Sequence, residues 1–292
     1  MAYTMRSALY LSMNELADAQ TAAYGGGWQS SVVKLAETCK VQSIDLGHSI
    51  AVFDGRSTVA IALVGRRTDR GWLYDIAVAP AHRGGGMATR MMHTVLDDMR
   101  AGGTREVELD VAAMRGDAIR LYTRLGFERS RSYLNLAATG TELGLDRVEL
   151  APGHTIVGGL PEQLIEAYAR AQATEPAPCW DRSLASLLAY PDGYISRLLD
   201  GERELALMHY LARPAEGGDP DRVRPLFVHL APGAGVETLV ELLAATACAA
   251  FGDAGRLTLR VALEPESSTF TALLRELRMP VVAESYDMRL AL

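Results

Sequence analysis

The stretch IAVAPAHRGGGMATRMM, residues 76–92, decides the fold. An apolar run ends at Val78, and Pro80 closes it, because proline cannot donate to a central sheet ladder. A turn holding Arg83, Gly84, Gly85 and Gly86 follows, and Met87, Ala88 and Thr89 open an amphipathic helix expected from about Gly86 to Ala101. Glycines let the backbone approach a ligand closely and adopt angles that a side chain forbids. The N–H groups of a helix's first turn are free of helical partners, and the helix dipole favours negative charge beside them. Arg83 adds a cation to such a turn, which is built like a pyrophosphate cradle. Two other nucleotide-binding patterns fail on residues. A Walker turn ends in GK[ST], and no lysine occurs here. The dinucleotide fingerprint spaces its glycines G-x-G-x-x-G, whereas here they are consecutive.

Working outward, Ser12 and Glu15 form an S-x-x-E capping box for a helix running to about Tyr24. A glycine break, Gly25-Gly26-Gly27, precedes a second helix from about Ser30 to Cys39. Ser49–Phe53 and Thr58–Gly65 read as strands joined around Asp54-Gly55, a hairpin turn signal. Gly71–Val78 is the strand that enters the glycine turn. Glu106–Val111 is a strand and Asp117–Leu125 a short helix ending at Gly126; Ser130–Ala137 is a last strand.

The pattern then starts again. Leu160–Ala171 reads as a helix, and Ser183–Leu199 as two more around Pro191. Strands are expected at Leu205–Leu211, Pro225–Leu230, Leu257–Leu263 and Val281–Leu290, and helices at Val236–Phe251 and Ser268–Leu277. LYTRLGFERSRSYLNL from Leu121 lines up with LLRELRMPVVAESYDMRL from Leu273, an offset of 152 (273 minus 121). Solenoid repeats have periods of roughly 20–50 residues, so this spacing marks a duplicated domain. The expected division is 1–142 and 143–292.

Composition narrows the class. Hydrophobic residues are 49 % and charged residues 22 % of the 292, which is ordinary for a globular protein and excludes disordered and fibrous chains. The longest apolar run, Leu242–Phe251, falls well short of the ~20 residues that span a bilayer. Met1–Ser7 is polar and shows no signal peptide. Cys39, Cys179 and Cys248 lie far apart without CxxC or His spacing, so neither a metal site nor a disulfide framework is expected, and a reducing cytoplasm fits. Residues 1–145 hold 16 basic and 15 acidic side chains; the remainder of the 29 and 36 leaves 13 and 21 for residues 146–292. Neither half has the basic surplus of a nucleic-acid or polybasic membrane binder. Oligomeric state stays open.

With these residues in place, the first half resembles the GCN5-related N-acetyltransferases (GNAT). That family's acetyl-CoA signature is [Q/R]-x-x-G-x-[G/A] after a strand ending V-x-P; here Val78-Ala79-Pro80 is followed by Arg83, Gly86 and Ala88 in register. Its second signature, N-x-x-A-x-x-L-Y-x-x-x-G-F, is met by Ala118, Leu121-Tyr122 and Gly126-Phe127, with Arg115 where the family has asparagine. The resemblance implies an α/β fold of two tandem GNAT-like domains, each a mixed, mostly antiparallel sheet flanked by helices. It covers about residues 8–140. In the second half Ala231-Pro232-Gly233-Ala234-Gly235 keeps the small residues without the arginine, and Leu274 and Met279 stand opposite Tyr122 and Phe127, so that domain reads as degenerate and without the cofactor motif.

The resemblance further implies transfer of an acetyl group from acetyl-CoA to a primary amine, on a small molecule or a peptide, by direct attack. Tyr122 would be the acid that protonates the departing thiolate. The backbone of Ile76, Ala77 and Val78 would bind the pantetheine arm, and the turn from Arg83 through Gly84, Gly85, Gly86, Met87 and Ala88 to Thr89 the pyrophosphate. Arg115 and Ala118 complete the cofactor side, Arg115 as a phosphate ligand. Tyr24 and Trp28 flank the glycine break where the family builds its acceptor pocket; packing of the helix onto the sheet is their competing reading. The base is open. Asp75 is the candidate on the central strand, Glu108 and Asp110 are alternatives on the next, and a water chain is another. Period two puts Trp72, Tyr74, Ile76 and Val78 on one face, and Leu73, Asp75 and Ala77 on the other. A non-catalytic acyl-CoA-binding or interaction protein is the alternative to an enzyme.

Overall fold

The computed structural model describes residues 3–25, 27–215 and 220–292. Met1 and Gly26, on which sequence expectations fall, lie outside the described residues. One series of elements occurs twice. The first is β1 (Tyr3–Ser7), α1 (Met13–Tyr24), α2 (Val32–Val41), β2 (Ile50–Asp54), β3 (Ser57–Arg67), β4 (Arg70–Val78), α3 (Met87–Ala101), β5 (Glu106–Ala112), α4 (Gly116–Arg124) and β6 (Glu128–Thr139). The second is β7 (His154–Gly158), α5 (Pro161–Ala171), α6 (Leu184–Ala189), β8 (Gly193–Asp200), β9 (Arg203–Arg213), β10 (Arg222–Leu230), α7 (Val236–Phe251), β11 (Thr258–Pro265), α8 (Thr269–Glu276) and β12 (Val281–Ala291).

Local chemistry explains the boundaries. The capping box of α1 is complete: Glu15 N–H donates to Ser12 Oγ at 3.3 Å, and Ser12 N–H to Glu15 Oε2 at 2.7 Å. The hairpin between β2 and β3 closes from Asp54 to Ser57, with Gly55 at φ 61°. Pairing is antiparallel from β1 through β4, then parallel between β4 and β5 with α3 as the crossover. In the second unit β7 to β10 are antiparallel, β10 and β11 parallel, and β11 and β6 antiparallel. Both units are thus mixed, mostly antiparallel sheets with helices packed on them.

Three expectations need correction. The contacts do not divide at 142/143: the first unit is Met1–Ser130 with Tyr286–Leu292, and the second is Arg131–Ser285. The ends of β6 and β12 are therefore assigned away from their own series, a choice of hydrogen-bond partner that residue pattern does not encode. In the first unit Met288 lies in one buried cluster with Tyr122 and Phe127. Arg289 pairs with Glu106 and Glu108, and Leu292 N–H donates to Arg105 O. Second, Ser183–Leu199 is not two helices. After α6 the turn at Pro191 leads into β8, whose Tyr194 stands opposite Tyr210 of β9; β1 and β7 are strands that the apolar pattern did not mark.

Third, β4 does not alternate strictly. Its register against β3 shifts between Leu63↔Asp75 and Val64↔Leu73, so Tyr74 is an extra residue, a β-bulge. The side chains change faces there. Leu73, Ile76 and Val78 pack with the cluster under α3, while Tyr74 and Ala77 pack with the cluster under α1.

Candidate active site

The parallel pairing of β4 and β5 stops at Leu73↔Leu109. Beyond it the strands part, and a cleft of about 600 Å³ opens between Tyr74–Val78 on one wall and Asp110–Ala112 on the other. On that side the main chain of Ile76 and Val78 has no strand partner in the ladder, so apart from Val78 O, which Arg83 occupies, it borders the cleft as an unfilled sheet edge.

The glycine turn forms the cleft's mouth. Gly84 and Gly86 adopt φ of 82° and 74°, left-handed values that side chains rarely take. A Cβ added at Gly84, Gly85 or Gly86 would meet nothing within 4 Å. The first helical bond of α3 runs from Arg90 N–H to Gly86 O, which leaves the N–H groups of Met87, Ala88 and Thr89 without helical acceptors. Arg83 is less free than its sequence position suggests: Nε donates to Val78 O at 2.7 Å and Nη2 to Ala23 O at 3.3 Å. Its charge stays at the turn while its donors also hold the end of β4 against α1. Met87 and Ala77 are buried in the core clusters, so only their backbone can serve a ligand.

Inside the cleft the bulge delivers Asp75. Its Oδ1 accepts from Tyr24 Oη at 2.6 Å and its Oδ2 from Gln20 Nε2 at 2.7 Å. Asp75 is 7 % exposed, and burial pushes its carboxyl above the ordinary carboxylate range, while both hydrogen bonds pull it partly back. Tyr24 is pushed far up, first by burial and then by the charge of Asp75. Tyr122 of α4 lines the same cleft, its ring 5.8 Å from that of Phe127. Burial first, and the charge of Asp75 second, push its hydroxyl up to about 12; Arg115 opposes the shift. Tyr122 is therefore protonated at neutral pH.

Arg115 and Ala118 line the cleft, as expected, at the start of α4. Trp28 is outside the lining, with its ring 4.7 Å from that of Tyr24 at the exposed end of α1. Glu108 does not face the cleft. It is held by Arg70 at 2.7 Å and Arg289 at 3.5 Å, an ion-paired arrangement unsuited to an acceptor base. Asp110 lines the opposite wall. His82 also lines the cleft and bonds Tyr3 Oη through Nδ1 at 3.0 Å. Gln20 went unrecognised in the sequence, although a polar residue on the buried face of α1 was its signal. Among the described residues no group of three or more His, Cys, Asp or Glu could hold a metal ion.

The second unit repeats the geometry with different contents. Parallel pairing of β10 and β11 is confined to Arg222↔Thr258 and Val223↔Leu259, and Leu226 is the extra residue of a bulge between Pro225 and Phe227. Phe227 holds the place of Asp75, its ring 5.5 Å from that of Tyr168 on α5. The gap between the strands holds the chain's own Arg182, which donates to Pro225 O and pairs with Glu264; Ser268 Oγ donates to the other oxygen of Glu264. A cavity of about 350 Å³ remains beside this buried ion pair.

Residues 13–127 match the Acetyltransferase (GNAT) family. N-acetyltransferase 8B of Rattus norvegicus is 36 % identical over 61 residues, 21 % of this chain and 28 % of that protein. N-alpha-acetyltransferase 30 of Schizosaccharomyces pombe is 32 % identical over 75 residues, 26 % of this chain and 50 % of that protein. The match thus spans half or less of each of these relatives. A tandem GNAT protein from the clavulanic acid biosynthesis pathway superposes with a TM-score of 0.68 at 11 % identity, over 99 % of this chain and 98 % of that one. A GCN5-related N-acetyltransferase from Sphaerobacter thermophilus gives 0.63 at 19 % identity, over 99 % and 95 %. At such identities the structures speak for the fold alone, and the fold runs the length of the chain. No helix among the described residues is long and apolar enough to cross a membrane. With its glycine turn and its parted parallel strands, the first unit carries the match to the GNAT family over residues 13–127, and the whole chain has the fold of tandem GNAT proteins.

Proposed function

We propose that the first unit binds acetyl-CoA and transfers its acetyl group to a primary amine, and that the second unit binds no CoA. The observation that carries this reading is the meeting, in one cleft, of an open glycine turn, an unfilled strand edge and the pair Asp75 and Tyr122. The space above Gly84 to Gly86 and the free N–H groups of Met87 to Thr89 suit a pyrophosphate. The strand edge at Ile76 to Val78 suits an extended amide-bearing arm, and Arg115 a phosphate at the mouth. Bound there, acetyl-CoA supplies a thioester activated toward amines.

The chain's own groups divide the proton work. Asp75, ionised, takes the proton of the acceptor ammonium, and its elevated pKa brings it nearer to that task than an exposed carboxylate. An N–H of the β4 edge donates to the carbonyl oxygen as charge develops on it. Tyr122, which keeps its proton at neutral pH, gives it to the departing thiolate sulfur, and the second proton that the nitrogen sheds on becoming an amide restores the phenol by way of solvent. Tyr24 lines the cleft and would face the acceptor, while Trp28, packed on the Tyr24 ring outside the lining, would serve it only by way of Tyr24. Work in the cytoplasm, where thiols stay reduced, suits a chain whose Cys39, Cys179 and Cys248 lie far apart in the sequence. In the second unit Phe227 replaces the base and Arg182 fills the gap between the strands.

The test is thiol release from acetyl-CoA across a panel of small-molecule amines, peptide N-termini and lysine peptides. Release above hydrolysis with at least one class, lost in Asp75→Asn, supports the proposal. Binding of acetyl-CoA without transfer to any amine would mark a binding protein instead.

A further inference from the structure

Every residue on the packing face of α1 is apolar except one. Leu16, Ala17, Ala19 and Ala23 are buried there, and so is Gln20, only 4 % exposed. A buried amide left without partners costs free energy, so its presence is explained by what it bonds. Gln20 Nε2 donates to Asp75 Oδ2 at 2.7 Å, and its Oε1 accepts from Ser30 Oγ at 2.7 Å. The second bond fixes the first. With a hydroxyl proton on Oε1, the amide can only turn its NH₂ toward the carboxylate, which has acceptors alone. Ser30 is anchored in turn, its N–H donating to Thr21 Oγ1 at 3.0 Å while Thr21 donates to Ala17 O at 2.8 Å.

Ser30 belongs to the excursion between α1 and α2, which also carries Trp28 and the left-handed Gly25 and Gly27, and Tyr24 is the last residue of α1 before it. Tyr24 holds Asp75 Oδ1 and Ser30, through Gln20, holds Oδ2. We infer that Gln20, locked by Ser30, is a positioning residue that fixes the Asp75 carboxylate and ties its orientation to the loop beside the acceptor's approach. The inference rests on the reading of Asp75 as the base. One bond per oxygen leaves each Asp75 oxygen a further lone pair, and Asp75 lines the cleft where an ammonium would come. An acceptor that moves Ser30 therefore loosens the anchor of the Gln20 bond, so acceptor binding and base alignment are coupled through Gln20.

The charged and titratable groups that line the cleft with Asp75 are Tyr24 on α1, Tyr74 on β4, His82 and Arg83 of the turn, Asp110 on β5, Arg115 at the N-cap of α4, and Asp117, Tyr122 and Arg124 on α4. None changes when Gln20 or Ser30 is replaced, which makes the titration of Asp75 itself the readout. Carboxyl carbon-13 NMR of the full chain follows it, with the Asp75 resonance assigned by its loss in Asp75→Asn. In Gln20→Met, similar in volume and without a donor, the midpoint should rise by about one pH unit, the size of one lost charge-assisted hydrogen bond in an unchanged burial. Ser30→Ala should move it the same way and less, since the amide keeps its donor but loses its anchor. If Gln20→Met fails to fold, the serine variant alone decides by the same rule. Midpoints that stay at the wild-type value in a folded variant overturn the inference. If Asp75→Asn also loses acetyl transfer, only the positioning role has failed; if Asp75→Asn transfers acetyl at the wild-type rate, the base reading falls and the inference with it.

Discussion

Replacing Tyr122 by Phe removes one oxygen and leaves the rest of the site in place. The ring is buried and packs against Phe127, and among the described residues no protein group hydrogen-bonds its hydroxyl. Ring burial is retained and no protein partner is orphaned, so stability should change by less than about 1 kcal/mol. The acetyl-CoA affinity should hold for the same reason, because the glycine turn and strand edge are untouched. Turnover should not hold. Tyr122 keeps its proton until about pH 12, which suits a donor and excludes a base at neutral pH. A positioned proton donor contributes ~10²–10⁴-fold, and a thiolate needs protonation less than an alkoxide, so the lower end applies. A loss of ~10²-fold corresponds to ~2.7 kcal/mol of barrier. The assay is thiol release with the amine selected by the acceptor panel, alongside calorimetry with acetyl-CoA. Wild-type turnover in Tyr122→Phe would refute the acid role, and a parallel loss of affinity would recast the hydroxyl as a binding group.

Acetyl transfer should rise with pH through the folded pKa of Asp75, which lies above 3.8, and Tyr122 should impose no fall until near pH 12; a rate independent of pH over the carboxylate range would contradict Asp75 as base. The same raised pKa makes the folded state bind a proton more readily than the unfolded one, so ionising Asp75 lowers stability as pH rises from 3.8 through the folded value. Asp75→Asn should flatten the thermal midpoint over that window, as read by calorimetric scans. Met288→Ala, at a position 2 % exposed in the cluster of Tyr122 and Phe127, should cost about 2–5 kcal/mol in chemical denaturation although it lies far along the chain from the rest of the first unit. Glu264→Gln leaves Arg182 buried without its counter-charge and should cost about 3–5 kcal/mol, with the amount of bound acetyl-CoA unchanged.

What the sequence made legible follows from local rules. The helix beginning at Met87 is legible to within a residue because a glycine turn and a clean apolar period mark it, and α7 is legible over its whole length for the same reason. Period two on β4 failed at Tyr74 because a bulge inserts a residue without changing composition; Asp75, which it turns toward α1, was legible as a residue but not as the partner of Gln20 and Tyr24. Ser183–Leu199 misled because Leu187, Leu188, Leu198 and Leu199 mimic a helical spacing across a turn. The unit boundary was hidden most deeply. Ser130–Ala137 and Val281–Leu290 read as strands whichever sheet they join, and only hydrogen bonds decide. Arg182 carried no signal either, since its role depends on Pro225 and Glu264, 43 and 82 residues away.

The central claim, one CoA site built on the glycine turn of the first unit, is tested most directly by calorimetric titration of acetyl-CoA into the wild-type chain and Gly85→Leu. Gly85 has no left-handed φ, and a Cβ there meets nothing within 4 Å, so the substitution adds bulk to the turn proposed to hold the phosphates without straining the fold. The account predicts one acetyl-CoA per wild-type chain and a loss of more than about tenfold in affinity, ~1.4 kcal/mol, in the variant. Undiminished affinity in Gly85→Leu, or two acetyl-CoA per wild-type chain, would contradict it.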